Sequence, residues 1–237
     1  MDLRKEQKAE RRERILAAAR QTIGERGYAS LTMRDLAQAA RVTVPTIYNL
    51  IGGKEAVLFA AIEDQTQGFL ESIETARRSS PVSRALAVVE NTTRELLRLP
   101  AYYQSLLGLL LTSEAAGEMR ALVGRALRGE FERALLEMRE AGELVEWADP
   151  PTLSHALNSQ LQFTALQWVG GELDADGLKE ASLYGAGLSL LAVAEGGSRQ
   201  ELARRVARAQ DRLATARAGK RRSSGGPEGR ARTGAGL

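Results

Sequence analysis

The chain has 237 residues, of which 43% are hydrophobic and 27% are charged, and its formal net charge is +3. This balance is typical of a globular protein with one or two cores, and it excludes wholesale disorder. Because the sequence contains no cysteine, disulfides, thiolate metal sites and cysteine nucleophiles are excluded.

Most of the chain carries the apolar spacing and the end signals of α-helices. The first helix ends at Gly27, and Thr32 forms a capping-box-like pair with Asp35 at the start of the second. Pro45 suits the first turn of the third helix, which stops before Gly52. The predicted helices are 2–26, a short helix after Thr32, 43–50, 54–77, 82–99, 101–112, 116–141, 151–169, 174–195 and 199–217. We therefore expect an all-α fold.

The segment Gly52-Gly53-Lys54 raises the question of a phosphate-binding nucleotide loop. A Walker loop needs a glycine at position 48 and a serine or threonine at position 55, but the sequence has Tyr48 and Glu55 there. Such a loop also follows a strand, whereas the residues before Gly52 have a helical pattern. We therefore interpret the segment as a joint between two helices, and we hypothesise that its glycines let the joint pivot.

Short helices near the N-terminus have the spacing of a helix-turn-helix. Ala37 stands where two helices would cross, Arg41 and Val42 where the tight turn would lie, and Ile47 where an apolar side chain would pin the second helix. The local charge favours this interpretation, since residues 1–60 carry eleven lysines and arginines against seven acids. The pattern indicates a polyanion partner such as DNA.

The rest of the chain divides by charge. Residues 61–216 carry sixteen basic and twenty-two acidic side chains, whereas residues 217–237 carry six basic side chains and one acidic one. Residues 218–237 are rich in glycine, serine and arginine, so we expect a disordered basic tail that is either solubilising or a source of non-specific DNA affinity. The N-terminus lacks the apolar core of a signal peptide and residues 106–111 are too few to span a bilayer, so we expect a cytoplasmic protein without a membrane partner.

Four motifs follow one another within residues 15–62. They are Gly27-Tyr28, Thr32-Met33-Arg34-Asp35-Leu36-Ala37, Pro45-Thr46-Ile47-Tyr48 and Lys54-Glu55-Ala56-Val57. In this order they resemble the DNA-binding domain of the TetR family of bacterial transcriptional regulators, over about a fifth of the chain. The resemblance implies a helix-turn-helix domain at residues 1–53 with a basic N-terminal arm, and a helical effector-binding and dimerisation domain at residues 54–217.

The resemblance also implies that the third helix enters the major groove of DNA. The DNA-binding residues that it implies are Thr32, Arg34, Thr43, Val44, Pro45, Thr46, Tyr48, Asn49 and Lys54. Side chains of the third helix would meet base edges and carry the sequence information, while Thr32, Arg34 and Lys54 would hold phosphates and fix the register. Alternatively, Tyr48 packs between helices and Lys54 is a solvated lysine.

Two positions depart from the family pattern. Arg41 replaces the glycine that is common at the turn, so either Arg41 adopts a left-handed conformation or the turn differs. Leu50 stands where a polar or aromatic side chain often touches the DNA backbone. The apolar side chain of Leu50 therefore predicts one contact fewer with the DNA backbone.

The helix at 174–195 is apolar nearly all round, so it needs cover on two sides. Its second side can face a partner, and Gly185-Ala186-Gly187 would permit close approach. With the helix at 151–169 it resembles the family's dimer-forming four-helix bundle, although a fully buried helix in a monomer is an alternative. A two-fold homodimer would read double-stranded DNA with an inverted-repeat operator. The expected interface residues are Leu153, Leu157, Leu183, Gly187, Leu190 and Leu191.

Aromatic and apolar side chains of the C-terminal half could line an effector pocket between helices, although they equally suit a plain core. The expected pocket residues are Phe69, Tyr103, Leu106, Leu110, Met119, Phe131, His155 and Phe163. Because few charges lie on these faces, we expect an apolar or amphipathic small molecule. The sole histidine, His155, cannot form a metal site by itself, and we expect no metal and no cofactor.

These expectations describe a sequence-specific transcriptional regulator, most simply a repressor that a small-molecule effector releases from its operator. A helical DNA-binding or architectural protein without an effector is one alternative, and a helical enzyme is another. The sequence offers no serine–histidine–acid arrangement, no HExxH motif and no convincing carboxylate pair, so we expect no enzymatic activity.

Overall fold

The computed structural model describes residues 3–74, 80–112 and 117–224, with side chains for all of these except 66–74, 109–112, 118, 119 and 216–224. Within these ranges the chain forms ten α-helices and one turn of 3-10 helix at Tyr28–Ser30. The helices are α1 (Leu3–Arg26), α2 (Met33–Ala39), α3 (Val44–Leu50), α4 (Lys54–Glu74), α5 (Pro81–Arg98), α6 (Pro100–Thr112), α7 (Gly117–Glu140), α8 (Pro150–Val169), α9 (Ala175–Val193) and α10 (Gly196–Ser224). The all-α prediction is confirmed. A search of the described helices finds none with the length and apolarity to cross a membrane.

The short helices α2 and α3 begin at threonines that cap them, as the sequence predicts. The Thr32 hydroxyl accepts a hydrogen bond from the Asp35 backbone N–H at 3.1 Å and donates one to the Asp35 carboxylate at 2.8 Å. Thr43 caps α3 in the same way by accepting from the Thr46 backbone N–H at 3.4 Å. These caps satisfy backbone donors that a helix of seven residues cannot pair internally.

One hydrophobic core joins the N-terminal helices to the rest of the molecule. Ile23, Leu36 and Ile47 of α1–α3 are fully buried in it, together with Tyr102 of α6 and Leu178 of α9. Burying each such aliphatic side chain contributes about 1.5–3 kcal/mol. The domain boundary expected at residue 53 therefore lies within a shared core. Through this core α6 is in contact with the N-terminal helices α1–α3.

A second core lies at the opposite end of α5, α8 and α9. It contains Phe131 and Leu135 of α7, Leu190 of α9 and Leu202 of α10, each of them fully buried. An isolated bridge, in which Val145 N–H donates to the Val193 carbonyl at 2.9 Å, ties the α7–α8 loop to the end of α9. This end of the molecule is remote from the short helices α2 and α3, whose buried side chains belong to the first core.

The last helix is longer than the sequence pattern predicts. We expected it to end at residue 217, but α10 continues to Ser224. Alanine, arginine and lysine are good helix formers, and Gly219 costs only about 1 kcal/mol relative to alanine, so it does not stop the helix. The expectation of a disordered tail is therefore wrong for residues 218–224, and the rest of that tail lies outside the described residues.

Candidate DNA-binding surface and ligand cavity

The turn between α2 and α3 is tight because Arg41 adopts a left-handed conformation. Its φ is 54°, and it is the one described non-glycine residue with a positive φ. Beside it the Val42 N–H donates to the Ala37 carbonyl at 2.9 Å. Of the two possibilities considered for Arg41, the structure shows the left-handed conformation. This conformation costs roughly 1–2 kcal/mol of stability for a residue with a side chain.

The third helix turns one face inward and leaves the other open. Ile47 is fully buried, whereas Tyr48 is 54% exposed. Half-buried Val44 and Leu50 pack against the first core, which explains why position 50 is apolar. The exposed residues among those with an expected DNA contact are Thr32, Arg34, Thr43, Pro45, Tyr48 and Asn49, while Thr46 is half-buried. Most of the expected DNA-binding residues are thus accessible on α2, on α3 and at the threonines that precede these helices.

Lys54, at the start of α4, is held by contacts within the chain. Its ammonium group donates a hydrogen bond to the Ala29 carbonyl at 3.1 Å and lies 4.6 Å from the centre of the Tyr28 ring. These contacts fix the joint between α3 and α4 against the segment after α1. A phosphate at this position would have to share the ammonium group with Ala29.

The joint before Lys54 requires glycine at one of its two glycine positions. Gly52 has a φ of 130°, and a Cβ atom there would lie 2.8 Å from the Cβ of Ala56. Gly53 has an ordinary φ, and the nearest atom to a Cβ there would be Tyr48 Cε1 at 3.9 Å. The joint follows a helix, α3, whereas a nucleotide-binding loop follows a strand. This agrees with the exclusion of a nucleotide-binding loop.

An apolar cavity of about 100 Å³ lies between α4, α5, α6 and α7. Its lining residues are Ile62, Gln65, Thr92, Glu95, Leu96, Tyr103, Leu106, Leu107, Val123, Ala126 and Leu127. Tyr103 and Leu106 were expected in the effector pocket and do line this cavity. That volume suits a group the size of a small ring.

Beside the cavity, three side chains meet at Glu95. Its carboxylate accepts hydrogen bonds from Tyr103 at 2.8 Å, from Arg98 at 2.8 Å and from Gln65. Burial would raise the pKa of Glu95, but the bonds from Arg98, Tyr103 and Gln65 outweigh it and lower the pKa below its ordinary value of 4.5. Burial and the nearby Glu95 charge raise the pKa of Tyr103 far above its ordinary value, so Tyr103 stays a donor.

Sequence reasoning missed Glu95, Gln65 and Thr92 as cavity residues. The signal available was the position of Glu95, three residues before Arg98 on a helix whose other face is strongly apolar. That spacing predicts an ion pair on the helix surface but does not indicate which helices surround it.

Three of the expected pocket residues lie elsewhere. Phe163 is 63% exposed, and His155 is exposed on the same helix with its Nδ1 atom 3.3 Å from Arg128. Phe131 is fully buried in the second core, away from the cavity. These three therefore do not line this cavity, because the sequence had no means of telling which face of α7 or α8 would turn inward. The side chains of Phe69, Leu110 and Met119 lie outside the described residues.

The expected dimer residues also need correction. Leu157 and Leu190 are buried in the second core, and Gly187 is covered by Val206 of α10, so the prediction that these three contact a second copy is wrong. Leu153, Leu183 and Leu191 are half-buried against the same core. The prediction had no means of placing α10, which covers the face of α9 that bears Leu183 and Gly187.

A different face of α8 and α9 is exposed and uncharged. Its accessible residues are Thr152, His155, Ala156, Ser159, Gln162 and Phe163 on α8, and Ala181, Tyr184, Leu188 and Ala192 on α9. Gln160 lies in the seam between the two helices, where Ser189 donates to its side-chain oxygen at 3.4 Å. Phe163 and Leu188, at 63% and 42% exposure, are its large apolar members.

Comparison with known proteins relates the N-terminal region of the chain to a family. Residues 15–61 match the bacterial regulatory proteins of the TetR family. The transcriptional repressor KstR of Rhodococcus jostii is 25% identical over 137 residues, which is 57% of this chain. The match spans 65% of the length of KstR.

Solved structures agree over a larger share of the chain. SmeT, the repressor of a multidrug efflux pump of Stenotrophomonas maltophilia, is 28% identical with a TM-score of 0.64, and the match covers 79% of this chain and 92% of SmeT. SmeT has also been solved in complex with triclosan, at 27% identity and a TM-score of 0.61, over 79% of this chain and 93% of that one. A TetR regulator from Haloarcula marismortui, 17% identical, shares the fold with a TM-score of 0.70 over 79% of this chain and all of its own. Residues 15–61 therefore match the DNA-binding domain of TetR-family bacterial regulatory proteins, and the chain shares its overall fold with regulators of that family.

Proposed function

We propose that the chain is a cytoplasmic, sequence-specific transcriptional repressor that a small-molecule effector releases from its operator. One observation carries the proposal: α3 is capped and pinned by buried Ile47 on one side while its opposite side, with Pro45, Tyr48 and Asn49, is open. A short rigid helix with an open polar face fits the major groove. The related protein SmeT is a repressor.

The DNA contacts divide by position on this surface. Residues of α3 (Thr43, Val44, Pro45, Thr46, Tyr48 and Asn49) read base edges and nearby phosphates. Exposed Arg34 and Thr32, at the start of α2, and Lys54, at the start of α4, hold the backbone. Because Val44 and Thr46 are only half-exposed, Pro45, Tyr48 and Asn49 supply most of the contact area.

The protein acts as a homodimer through the uncharged face of α8 and α9. An exposed stripe without charges is unusual for a chain in which 27% of the residues are charged, and interface cores are depleted in charge in the same way. Phe163 and Leu188 are its anchors. A two-fold axis through this face gives two copies of α3 and hence an inverted-repeat operator.

The effector occupies the cavity between α4, α5, α6 and α7. Ile62 of α4 and Tyr103 of α6 both line it, and neighbouring Tyr102 packs on α1, where its Cβ lies 3.4 Å from the position of a Cβ on Gly24. A molecule larger than the cavity separates these helices and so moves α1 and α4 relative to the dimer face. The operator is released or bound according to which spacing of the two α3 helices the effector favours. Its apolar lining favours an apolar or amphipathic molecule, and SmeT forms a complex with triclosan.

Selection of bound fragments from a random double-stranded DNA library tests the proposal directly. Enrichment of an inverted repeat is expected, and failure to enrich any sequence would overturn it. Screening small apolar molecules for release of the selected duplex then tests the effector. If no molecule that binds the protein alters operator affinity, the chain is a DNA-binding protein without an effector.

A further inference from the structure

The last helix lies along α9 and runs in the opposite direction. Val206 of α10 packs on Gly187, while Tyr184 donates to Gln210 at 3.3 Å and Arg212 donates to Glu180 at 3.0 Å. As residue numbers rise on α10, those of its α9 partners fall. The C-terminal half of α10 therefore lies beside the first turns of α9.

The first turns of α9 belong to the end of the molecule that carries the short N-terminal helices. Leu178 is fully buried in the same core as Ile23, Leu36 and Ile47 of α1–α3. By contrast, Leu202, near the start of α10, lies in the second core at the far end. The helix thus leads from the far end of the body toward the end with the candidate DNA-binding surface.

The helix also extends past the element that supports it. From Arg212 to Ser224 it adds twelve residues, or about 18 Å of helix, whereas α9 begins only five residues before Glu180, about 7.5 Å away. The backbone of α10 accordingly overhangs the start of α9 by roughly 10 Å.

The end of α10 that reaches and passes the start of α9 carries only basic charges. Residues 216–224 read ARAGKRRSS, with four cations and no acid, whereas residues 61–216 carry more acids than bases. Arg217 stands three and four residues before Lys220 and Arg221, the spacing at which like charges weaken a helix. A polyanion relieves this repulsion, because phosphates screen each cation from the next.

We infer that the basic end of α10 forms a second, sequence-independent contact with the phosphate backbone of DNA beside the operator half-site. The inference rests on the proposed function, since it supposes that α3 occupies the major groove nearby. Two observations carry it, namely the direction of α10 toward the DNA-binding end and the four cations without an acid in residues 216–224. Phosphate contacts of this kind add affinity and salt dependence without adding sequence discrimination.

A pair of matched double variants tests the inference. R217Q/R221Q neutralises two cations one helical turn apart at this end of α10, and R204Q/R208Q does the same with exposed arginines beside the body. Glutamine keeps the side-chain length and the helix propensity. Binding of the full-length proteins to an operator duplex and to a scrambled duplex is measured by fluorescence anisotropy across a salt series.

R217Q/R221Q is expected to reduce the log–log salt slope by about 0.9 to 1.8 on both duplexes, with the ratio of their affinities unchanged. R204Q/R208Q is expected to leave the slope as in the unmodified chain. Equal slopes for both variants would overturn the inference. It would also be overturned if R217Q/R221Q abolished binding to anionic lipid vesicles but left the slope for DNA unchanged. If the unmodified chain binds no duplex at all, the proposed function fails instead.

Discussion

The ammonium group of Lys54 donates a hydrogen bond to the carbonyl oxygen of Ala29 across 3.1 Å, and the Tyr28 ring lies beneath the same group. This contact joins the first residue of α4 to the segment that follows α1. The sequence predicted that Lys54 reaches a DNA phosphate, and a lysine ammonium has three donors, so one bond to Ala29 leaves two for an anion.

Replacing Lys54 with alanine is therefore expected to have two effects. The free energy of unfolding falls by about 1 kcal/mol, because a hydrogen bond and a cation–π contact are lost. Affinity falls alike for all DNA sequences, and the log–log salt slope drops by about 0.9. Thermal unfolding and salt-dependent anisotropy measure the two effects, with K54R as the charge-preserving control. An unchanged slope would leave Lys54 with a structural role only.

Replacing Thr46 with alanine is expected to relax discrimination at one base position in each half-site, by about 1–3 kcal/mol. The residue is half-buried on α3, with its hydroxyl 2.8 Å from that of Thr43, so the methyl and hydroxyl are both candidates for the base contact. Thr46→Ser keeps the hydroxyl but removes the methyl, so it shows which of the two groups makes the base contact. Competition among operator variants gives the measurement, and an equal loss for every variant would disprove the base-reading role.

The two glycines before α4 should respond differently to alanine. Gly52→Ala is expected to destabilise the fold by more than about 1 kcal/mol, because its φ of 130° and the 2.8 Å approach to Ala56 both exclude a side chain. Gly53→Ala is expected to leave stability within about 0.5 kcal/mol. If the joint pivots, Gly53→Ala also weakens effector-induced release. Denaturant unfolding and operator release measure these effects, and equal stabilities for both variants would contradict the strain at Gly52.

Introducing a charge on the proposed dimer face should separate the protomers. Leu188→Glu is expected to shift the dimer toward monomer at micromolar concentration, because it places a carboxylate in an interface that lacks charge. Leu136→Glu on α7 is the matched control, since both leucines are 42% exposed. Analytical ultracentrifugation distinguishes the two, and dimers of equal stability would rule out this face.

The hydrogen-bonded cluster at Glu95 should make stability depend on pH in the acid range. Because the folded-state pKa of Glu95 is lowered, the contribution of its carboxylate is fully present above the ordinary value of 4.5 and is lost as pH falls through the folded-state value. Glu95→Gln is expected to reduce stability at pH 7 and to approach the unmodified chain in acid. Urea unfolding at pH 7 and below 4.5 tests this, and a pH-independent difference would contradict it.

Local signals predicted the elements of the N-terminal region well. Thr32 and Thr43 cap their helices, Ile47 is buried and Arg41 takes the left-handed conformation, since caps, turns and apolar spacing act over a few residues. The cavity and the covered face of α9 could not be predicted in this way. They depend on which helices surround Glu95 and on Val206 of α10 lying over Gly187.

The sequence by itself determined that the chain is helical, that residues 15–62 carry a helix-turn-helix and that the positive net charge lies at the two ends of the chain. Only the tertiary structure decided that Phe163 faces outward, that Leu157 and Leu190 face inward and that the basic end of α10 points toward the DNA-binding helices. The reason is physical. Periodicity gives each helix an apolar face, but α8 and α9 are apolar over so much of their surface that the direction they turn is set by their neighbours.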